Sequence, residues 1–125
     1  MEMKPARFPG TAPIDAYGNG GFRFAEMSHR GSIICLPDGI MAWDVASLDD
    51  VTPDAFAPVF AASPRPELFL FGMGERLKPL HASIRHAFLD HTIRIEAMDT
   101  GAAARTYNVL LLEGRSVAAG LIAVS

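Results

Sequence analysis

The sequence predicts an α/β protein: a single three-layer domain around a mixed, mostly parallel sheet of about five strands, with an antiparallel hairpin near the N-terminus. The chain has 125 residues, half of them hydrophobic, which suits one domain with its own core. From residue 67 onward, strand-like segments alternate with helical ones, as in crossover connections between parallel strands. Nearer the N-terminus, the turn sequence Gly18-Asn19-Gly20-Gly21 separates two short apolar segments and predicts the hairpin.

Residues 1–13 differ in composition from the rest of the chain. They contain three prolines and few large apolar side chains, and proline favours extended backbone. We therefore expect an extended N-terminal arm over 1–13, followed by a single α/β domain over 14–125.

The next part of the chain predicts short strands joined by turns. The hairpin strands are Ile14–Tyr17 and Phe22–Phe24, on either side of the glycine-rich turn. The apolar segment 31–36 ends at Pro37-Asp38-Gly39, a turn signature, and 40–45 returns from that turn as another strand. Antiparallel pairs here make the predicted sheet mixed.

The second half predicts alternating helices and strands. The predicted elements are a short helix from Thr52 that Pro58 shortens, a strand at 67–71, a helix with Leu80, Ile84, Ala87 and Phe88 on one face, a strand at 92–98, a helix at 100–113 and a last strand at 116–124. Thr52 followed by Pro53 is a favourable helix start, and apolar residues at i, i+4, i+7 and i+8 mark one helix face.

The helix over 100–113 begins with an unusual turn. Asp99 or Thr100 can cap it, and the next four residues have almost no side-chain volume, so that a ligand or a neighbouring strand can approach closely. Gly114 is suited to ending the helix. Because its own apolar side chains lie on nearly every side of the helix, we expect the helix to be largely buried.

Arg105 lies on this helix and needs a partner if the helix is buried. One interpretation is structural: Arg105 pairs with a carboxylate such as Asp99 or Glu113, or donates to backbone carbonyls. The other is functional: Arg105 faces a ligand or a protein partner, because a buried charge without such a role is costly.

The predicted site joins this turn to a glycine-containing loop. Gly72-Met73-Gly74 lies between a predicted strand and a helix, where backbone amides can hold an anion. Leu77 stands where a dinucleotide-binding loop needs its third glycine, so a tight structural turn is the other interpretation. Both this loop and Asp99-Thr100 follow strands of a crossover sheet, and ligands bind at that edge. The candidate ligand- or partner-binding residues are Gly72, Met73, Gly74, Asp99, Thr100 and Arg105.

The other reactive side chains show no converging arrangement. His81, His86 and His91 are spaced by five residues, about 140° apart around a helix, so the sequence predicts no metal site. Cys35 lies in an apolar strand, where a thiol acts as a small hydrophobic group, and no Gly-x-Ser-x-Gly motif occurs. We expect no cofactor and no catalytic residue, which favours a protein that is not an enzyme.

The charge and the cysteine content limit the classes of binding partner and the cellular compartments that we expect for this protein. The net charge is −3 and basic residues do not cluster, which argues against nucleic acid and anionic lipid. A single cysteine cannot form an internal disulfide, so a reducing compartment is expected. The N-terminal residues lack a signal-peptide core, and no apolar run approaches the ~20 residues that span a bilayer. We therefore predict a cytoplasmic protein without a transmembrane segment.

Several short motifs carry a resemblance to a known family. They are Met98-Asp99-Thr100, Ala104–Asn108 and Glu113-Gly114-Arg115, supported upstream by Leu70–Gly74. Over residues 14–123 the chain resembles the family of the mitochondrial NADH dehydrogenase (complex I) assembly factor 3 and its uncharacterised bacterial and archaeal relatives. The resemblance implies a three-layer α/β fold around a mixed sheet, without established catalytic residues.

Two functions follow from these observations. The resemblance implies a non-enzymatic assembly or interaction protein that assists the assembly of membrane proteins or a respiratory complex. Its partners would be proteins, membrane-associated ones among them, with a homo-oligomer as one arrangement. The alternative is a small-molecule- or anion-binding protein or enzyme, with its site at Gly72–Gly74 and the first turn of the 100–113 helix.

Overall fold

A computed structural model of the protein describes residues 7–125, which form two β-sheets and three α-helices. Of the predicted arm over 1–13, residues 1–6 lie outside the described residues. The elements are β1 (Arg7–Phe8), β2 (Ile14–Gly18), β3 (Gly21–Phe24), β4 (Met27–Arg30), β5 (Ile33–Leu36), β6 (Gly39–Ala42), two 3-10 turns (Leu48–Asp50 and Pro53–Phe56), α1 (Ala57–Phe60), β7 (Leu68–Gly72), α2 (Ala82–Asp90), β8 (Arg94–Met98), α3 (Thr100–Leu112) and β9 (Val117–Leu121).

The larger sheet has six strands in the order β1-β6-β5-β9-β7-β8. Among residues 7–125, β9–β7 and β7–β8 are its parallel pairs, and the other three neighbouring pairs are antiparallel. The mixed α/β architecture is as predicted, but the prediction of about five mostly parallel strands is wrong. The crossovers through α2 and α3 generate three parallel strands. The strands β5, β6 and β1, which come earlier in the chain, extend the sheet beside β9, each antiparallel to its neighbour. The tight turn between β5 and β6 permits only antiparallel pairing.

The smaller sheet contains three antiparallel strands in the order β2-β3-β4. The predicted hairpin is confirmed: Asn19 and Gly20 adopt φ angles of 52° and 80°, as a two-residue hairpin turn requires. The second turn places Ala25 and Glu26 at φ angles of 48° and 63°, a region that such residues rarely adopt. Because this turn has no glycine or asparagine, the sequence pattern does not reveal β4.

The larger sheet separates two hydrophobic clusters, as a three-layer fold requires. In β5, Cys35 belongs to the cluster beneath α3 and the small sheet, whereas Ile34 belongs to the cluster beneath α2. In β7, Leu70 and Phe69 divide between the same two clusters, since successive strand residues point to opposite faces. The two long helices therefore lie on opposite faces of the sheet.

The predicted ends of α3 are confirmed. A side-chain oxygen of Asp99 accepts a hydrogen bond from the amide of Ala102 at 2.8 Å, which satisfies a free N–H of the first turn. Gly114 follows the helix at a φ angle of 74°, and the amides of Gly114 and Arg115 donate to carbonyls of the last turn. This is the usual glycine-based end of a helix.

The prediction that α3 is largely buried is wrong. Ala103, Ala104 and Tyr107 face the sheet and are buried, but Val109 and Leu112 are 55% and 90% exposed. A helix that packs on one side of a sheet buries one face, whatever residues occupy the other.

The segment after Thr52 begins as predicted, with Pro53 at its first position, but it starts as a 3-10 turn. The four-residue α1, which contains Pro58, follows it. The indole N–H of Trp43 donates to the carbonyl of Ala55 at 2.8 Å. This bond holds the segment against the face of the sheet that α2 also covers.

Candidate functional site

The carboxyl ends of the three parallel strands meet at one edge of the larger sheet. Gly72 at the end of β7 lies opposite Met98 of β8 and Leu121 of β9. The residues that follow, Met73-Gly74 and Asp99-Thr100, therefore adjoin one another. The amide of Met73 donates to the carbonyl of Met98 at 2.8 Å. The two loops share one edge, as the sequence predicts.

This edge includes the position at which open α/β sheets usually bind ligands. The loop after β7 leads to α2 on one face and the loop after β8 leads to α3 on the other, which opens a crevice between the two strands. Here the chain itself fills the crevice. The amide of Thr100 donates to the carbonyl of Gly74 at 2.8 Å, and the amide of Gly74 donates to Thr100 Oγ1 at 3.0 Å.

Thr100 also reaches the third strand of this edge. Its hydroxyl donates to the carbonyl of Ile122, directly after β9, at 2.7 Å. The side chain is fully buried, and its oxygen both donates and accepts a hydrogen bond. Thr100 therefore joins the ends of all three parallel strands.

Glycine is favoured at the two glycine positions of this loop for different structural reasons. A Cβ added to Gly72 would lie 3.0 Å from Thr100 Cα and 3.0 Å from Leu121 Cδ2, so a side chain here would require these buried neighbours to shift by a few tenths of an ångström. Gly74 has open space around it but a φ angle of 111°, which favours glycine. Tight packing and backbone geometry account for both glycines.

Asp99 places a carboxylate at the N-terminal end of α3. It is half-buried and occupies the capping position, where its oxygen accepts from Ala102 N. The positive end of the helix dipole favours a negative group there. The protein therefore supplies from its own chain the anion that the first turn attracts.

Arg105 is exposed, so the expectation of a buried charge is wrong. Its Nη1 donates to the hydroxyl of Tyr17 at 2.8 Å, a partner outside the predicted alternatives. The same tyrosine explains the small first turn of α3, because a Cβ added to Gly101 would lie 2.5 Å from the Tyr17 oxygen. A residue of the small sheet thus occupies the space above this turn.

Asn108 is a second link that the sequence does not reveal. Its amide oxygen accepts from Ile14 N at 2.7 Å, and its amide nitrogen donates to Ile14 O at 2.8 Å. The residues near Asn108 and Tyr17 in the sequence do not predict these contacts, because the partners lie far away along the chain. Together these contacts fasten β2 to α3.

An open cleft of about 340 Å³ adjoins the glycine-containing loop. Its walls come from residues 73–76, Lys78, the 46–49 loop and residues 122–125. Its charged lining residues are Asp49, Glu75, Arg76 and Lys78. Neither Asp99, Thr100 nor Arg105 lines it.

The six predicted residues are therefore brought to one region but not into one open site. Gly72, Met73, Gly74 and Thr100 are buried there, and Asp99 is engaged in capping. Arg105 points to the small sheet through its bond to Tyr17.

Cys35 lies in the core beside Tyr107. Burial raises the pKa of the thiol from 9.0 to about 12. The pKa of Tyr107 is also raised, first by burial and then by the neighbouring thiol. Among the described residues, the Tyr107 hydroxyl has no oxygen or nitrogen partner, and a thiol is a weak one. A neutral, inaccessible thiol is a poor nucleophile.

His81 and His91 have local hydrogen-bond partners. His81 caps α2 by accepting from Ser83 N at 3.1 Å, and His91 bonds to the carbonyl of Ala87 at 2.8 Å. Across residues 7–125, no three side chains of His, Cys, Asp or Glu are grouped to hold a metal ion. In the same part of the chain, no helix has the length and apolar character needed to cross a membrane.

Comparison with known proteins agrees with the motif resemblance. The assembly factor 3 of the NADH dehydrogenase 1 alpha subcomplex from Mus musculus is 32% identical over 122 residues, which are 98% of this chain and 66% of that protein. An uncharacterised Rhodobacter capsulatus protein is 37% identical over 122 residues, or 98% of this chain and 93% of its own length. A solved structure from Bartonella henselae, described as an outer membrane protein, matches with a TM-score of 0.90 and 51% identity, covering 94% of this chain and 99% of that one.

These matches differ in how much of the relative they cover. The chain spans 66% of the mouse assembly factor and nearly all of the two bacterial proteins. The sequence model of one family, described as proteins of unknown function (DUF498/DUF598), matches residues 14–122. Because that match extends over most of the sequence, the chain belongs to the DUF498/DUF598 family.

Proposed function

We propose that this protein is a non-enzymatic interaction module that assists the assembly of a membrane protein complex, with respiratory complex I as the first candidate. The observation that carries the proposal is the 32% identity to the mouse NADH dehydrogenase assembly factor 3 over 122 residues. Since the chain spans 66% of that protein, the proposal is limited to the role of the 122 residues that the two proteins share.

The geometry of the sheet edge supports this proposal. The crevice between β7 and β8 is the place where a catalytic α/β domain receives its substrate. Here Gly74 and Thr100 close it with two hydrogen bonds of their own. Because these bonds occupy the crevice between β7 and β8, we infer that the outer surfaces perform the function.

The predicted site residues take two roles in this proposal. Gly72, Met73, Gly74 and Thr100 are buried and would shape the edge against which a partner lies. Asp99 and Arg105 retain exposed surface and would contact the partner directly. In this view the protein acts from the cytoplasm on membrane-associated proteins, and self-association is one way to present two such surfaces.

Loss of the gene tests the proposed role. We expect a deletion strain of the native host to contain less assembled complex on native gels, although the individual subunits are still made. The affinity-tagged full chain, purified from detergent-solubilised native membranes, should recover subunits of the same complex. Normal amounts of the complex in the deletion strain, together with no recovered subunit, would overturn the proposal.

A second candidate function is the binding of a small anion in the cleft beside Gly74. Arg76 and Lys78 line this cleft, which has a volume of about 340 Å³, although Asp49 and Glu75 line it as well. Titration with inorganic phosphate, followed by NMR of the backbone amides, tests this alternative. Saturable shifts over residues 73–78 that Lys78→Gln weakens would support it, and unchanged spectra would reject it.

A further inference from the structure

The outward face of the small sheet is built from six residues in register across its three strands. They are Ala16, Gly18, Gly21, Arg23, Ser28 and Arg30. Paired residues in an antiparallel sheet point to the same face, and the intervening Phe22 and Phe24 are buried on the opposite side. The six residues therefore form one continuous surface, which we call the arginine trough.

The side chains of the trough differ sharply in size. Ala16, Gly18, Gly21 and Ser28 are small, so that they leave a low floor close to the backbone. Arg23 and Arg30 rise from neighbouring strands. The result is a shallow, open depression of about 420 Å³, lined by residues of all three strands.

The trough is rich in hydrogen-bond donors and poor in negative charge. Besides the two arginines, the polar residues Asn19 and Ser28 line it, and among the described residues no aspartate or glutamate does so. In a chain with a net charge of −3, this positive surface is a local feature. It is therefore complementary to an acidic partner.

Neither arginine is neutralised within the described part of the chain. The guanidinium groups of Arg23 and Arg30 make no side-chain hydrogen bond and no ion pair with residues 7–125, whereas Arg94 pairs with Glu96 at 3.2 Å. Arg23 lies opposite Ser28 and Arg30 lies opposite Gly21, so the two arginines are diagonal neighbours on one face. The exposed acidic residue beside this face is Asp15, at the bulge of β2 next to Ala16. Within the described residues it forms no ion pair with either arginine, so both guanidinium groups are open to a carboxylate from outside the chain.

We propose that the arginine trough docks an acidic segment of a protein partner, with carboxylates that pair with Arg23 and Arg30. The inference rests on the proposed function, because it names the surface through which the interaction module binds. A free small anion would remain mostly hydrated in so open a depression, whereas small-molecule sites enclose most of their ligand. A peptide segment can span both arginines, and each guanidinium can donate two parallel hydrogen bonds to a carboxylate.

A labelled peptide tests the surface in isolation. We expect a fluorescein-labelled hexaglutamate peptide to bind the full chain, a hexaglutamine peptide not to bind, and the affinity to fall as salt rises. Arg23→Gln and Arg30→Gln should each weaken binding by about 3- to 10-fold. Arg85→Gln is the matched control, because Arg85 is exposed on α2, on the opposite face of the larger sheet. Its affinity should remain unchanged.

Several outcomes would overturn the proposal. They are the absence of hexaglutamate binding, equal affinity in the wild type and both trough variants, or an equal loss in Arg85→Gln. Binding to phosphatidylserine vesicles through the same arginines, without binding to the peptide, would assign the trough to a membrane surface instead. The variant Arg23→Lys keeps the charge but loses the two parallel hydrogen bonds, so its affinity should lie between those of the wild type and Arg23→Gln. A urea midpoint of Arg23→Gln equal to that of the wild type separates a binding effect from a folding effect.

A second measurement separates this inference from the proposed function. If the Arg23→Gln/Arg30→Gln double variant still recovers the same complex subunits from native membranes as the wild type, the trough is not the docking surface and the proposed function stands. If the wild type recovers no subunit and its deletion leaves the complex intact, the proposed function fails, whatever the peptide shows.

Discussion

Tyr17 of β2 lies against Gly101 of α3, where an added Cβ would come within 2.5 Å of the tyrosine oxygen. The same hydroxyl accepts a hydrogen bond from Arg105 at 2.8 Å. One turn further along the helix from Arg105, the side-chain amide of Asn108 accepts a hydrogen bond from Ile14 N and donates one to Ile14 O. The small sheet is therefore attached to α3 by specific polar contacts as well as by its buried phenylalanines.

Gly101→Ala and Gly72→Ala should have different effects on stability. At Gly101 the obstructing atoms belong to a side chain that is 41% exposed, so Tyr17 can move outward. Alanine also favours the helix by up to about 1 kcal/mol. We expect the free energy of unfolding to stay within about 1 kcal/mol of the wild type, with loss of the Tyr17–Arg105 hydrogen bond.

Gly72→Ala meets backbone and a packed leucine instead. Because Thr100 and Leu121 are fully buried and have little room to shift, overpacking should lower the free energy of unfolding by about 1–3 kcal/mol. Urea denaturation of both variants measures the contrast. An equal decrease in the free energy of unfolding for the two variants would contradict the view that Tyr17 can move away from a side chain at position 101.

Asn108→Ala should loosen the small sheet selectively. The substitution removes both hydrogen bonds to Ile14 and leaves its backbone groups to find other partners, at a cost of about 1–3 kcal/mol. Hydrogen exchange should accelerate at the amides of β2 and β3, with β7 and β9 less affected. Asn108→Asp retains an acceptor for Ile14 N but loses the donor, so it should have an intermediate effect. Uniform acceleration over the whole chain would contradict this view.

Thr100→Val should be strongly destabilising although it conserves shape. It leaves the amide of Gly74 and the carbonyl of Ile122 without their buried partner, at a cost of about 2–4 kcal/mol. Thr100→Ser keeps the hydroxyl and loses one methyl group, so about 1 kcal/mol is expected. Chemical denaturation distinguishes the two variants. A valine variant as stable as the serine variant would show that these hydrogen bonds matter little.

The buried pair Cys35 and Tyr107 predicts loss of stability in alkali. The pKa of the Cys35 thiol is 9.0 in its ordinary state and about 12 in the fold, so above pH 9 the folded protein holds a proton that the unfolded chain releases. Its stabilising contribution is complete below pH 9 and is lost as the pH rises toward 12, by about 1.4 kcal/mol per pH unit. Tyr107, whose pKa is raised from 10.0, adds to the loss in the same direction.

Denaturation midpoints measured between pH 7 and 11 test this prediction. The wild type should show little contribution from these groups below pH 9. In Cys35→Ala, the slope above pH 9 should become shallower even though the small cavity lowers stability at every pH. An unchanged slope in that variant would show that the thiol is not responsible.

Much of the fold follows from short-range signals. The turn at Asn19-Gly20, the cap at Asp99 and the helix end at Gly114 each depend on residues close in sequence, and all three are found. The strand β4 escapes prediction because Ala25 and Glu26 form a turn that their residue types seldom make. The order of the strands in the sheet could not be predicted, because the residue pattern of a strand does not show which other strand pairs with it.

For the candidate site, the sequence by itself determined that the loop at Gly72–Gly74 and the start of α3 lie at one edge, because parallel strands bring their carboxyl ends together. Only the tertiary structure decided that Thr100 closes the crevice between them, that Tyr17 occupies the space over Gly101, and that Arg23 and Arg30 share an open face. The parallel direction of β7, β8 and β9 follows from the helical crossovers that join them. Contacts between distant residues are set by how the layers stack, and no local pattern in the chain specifies that.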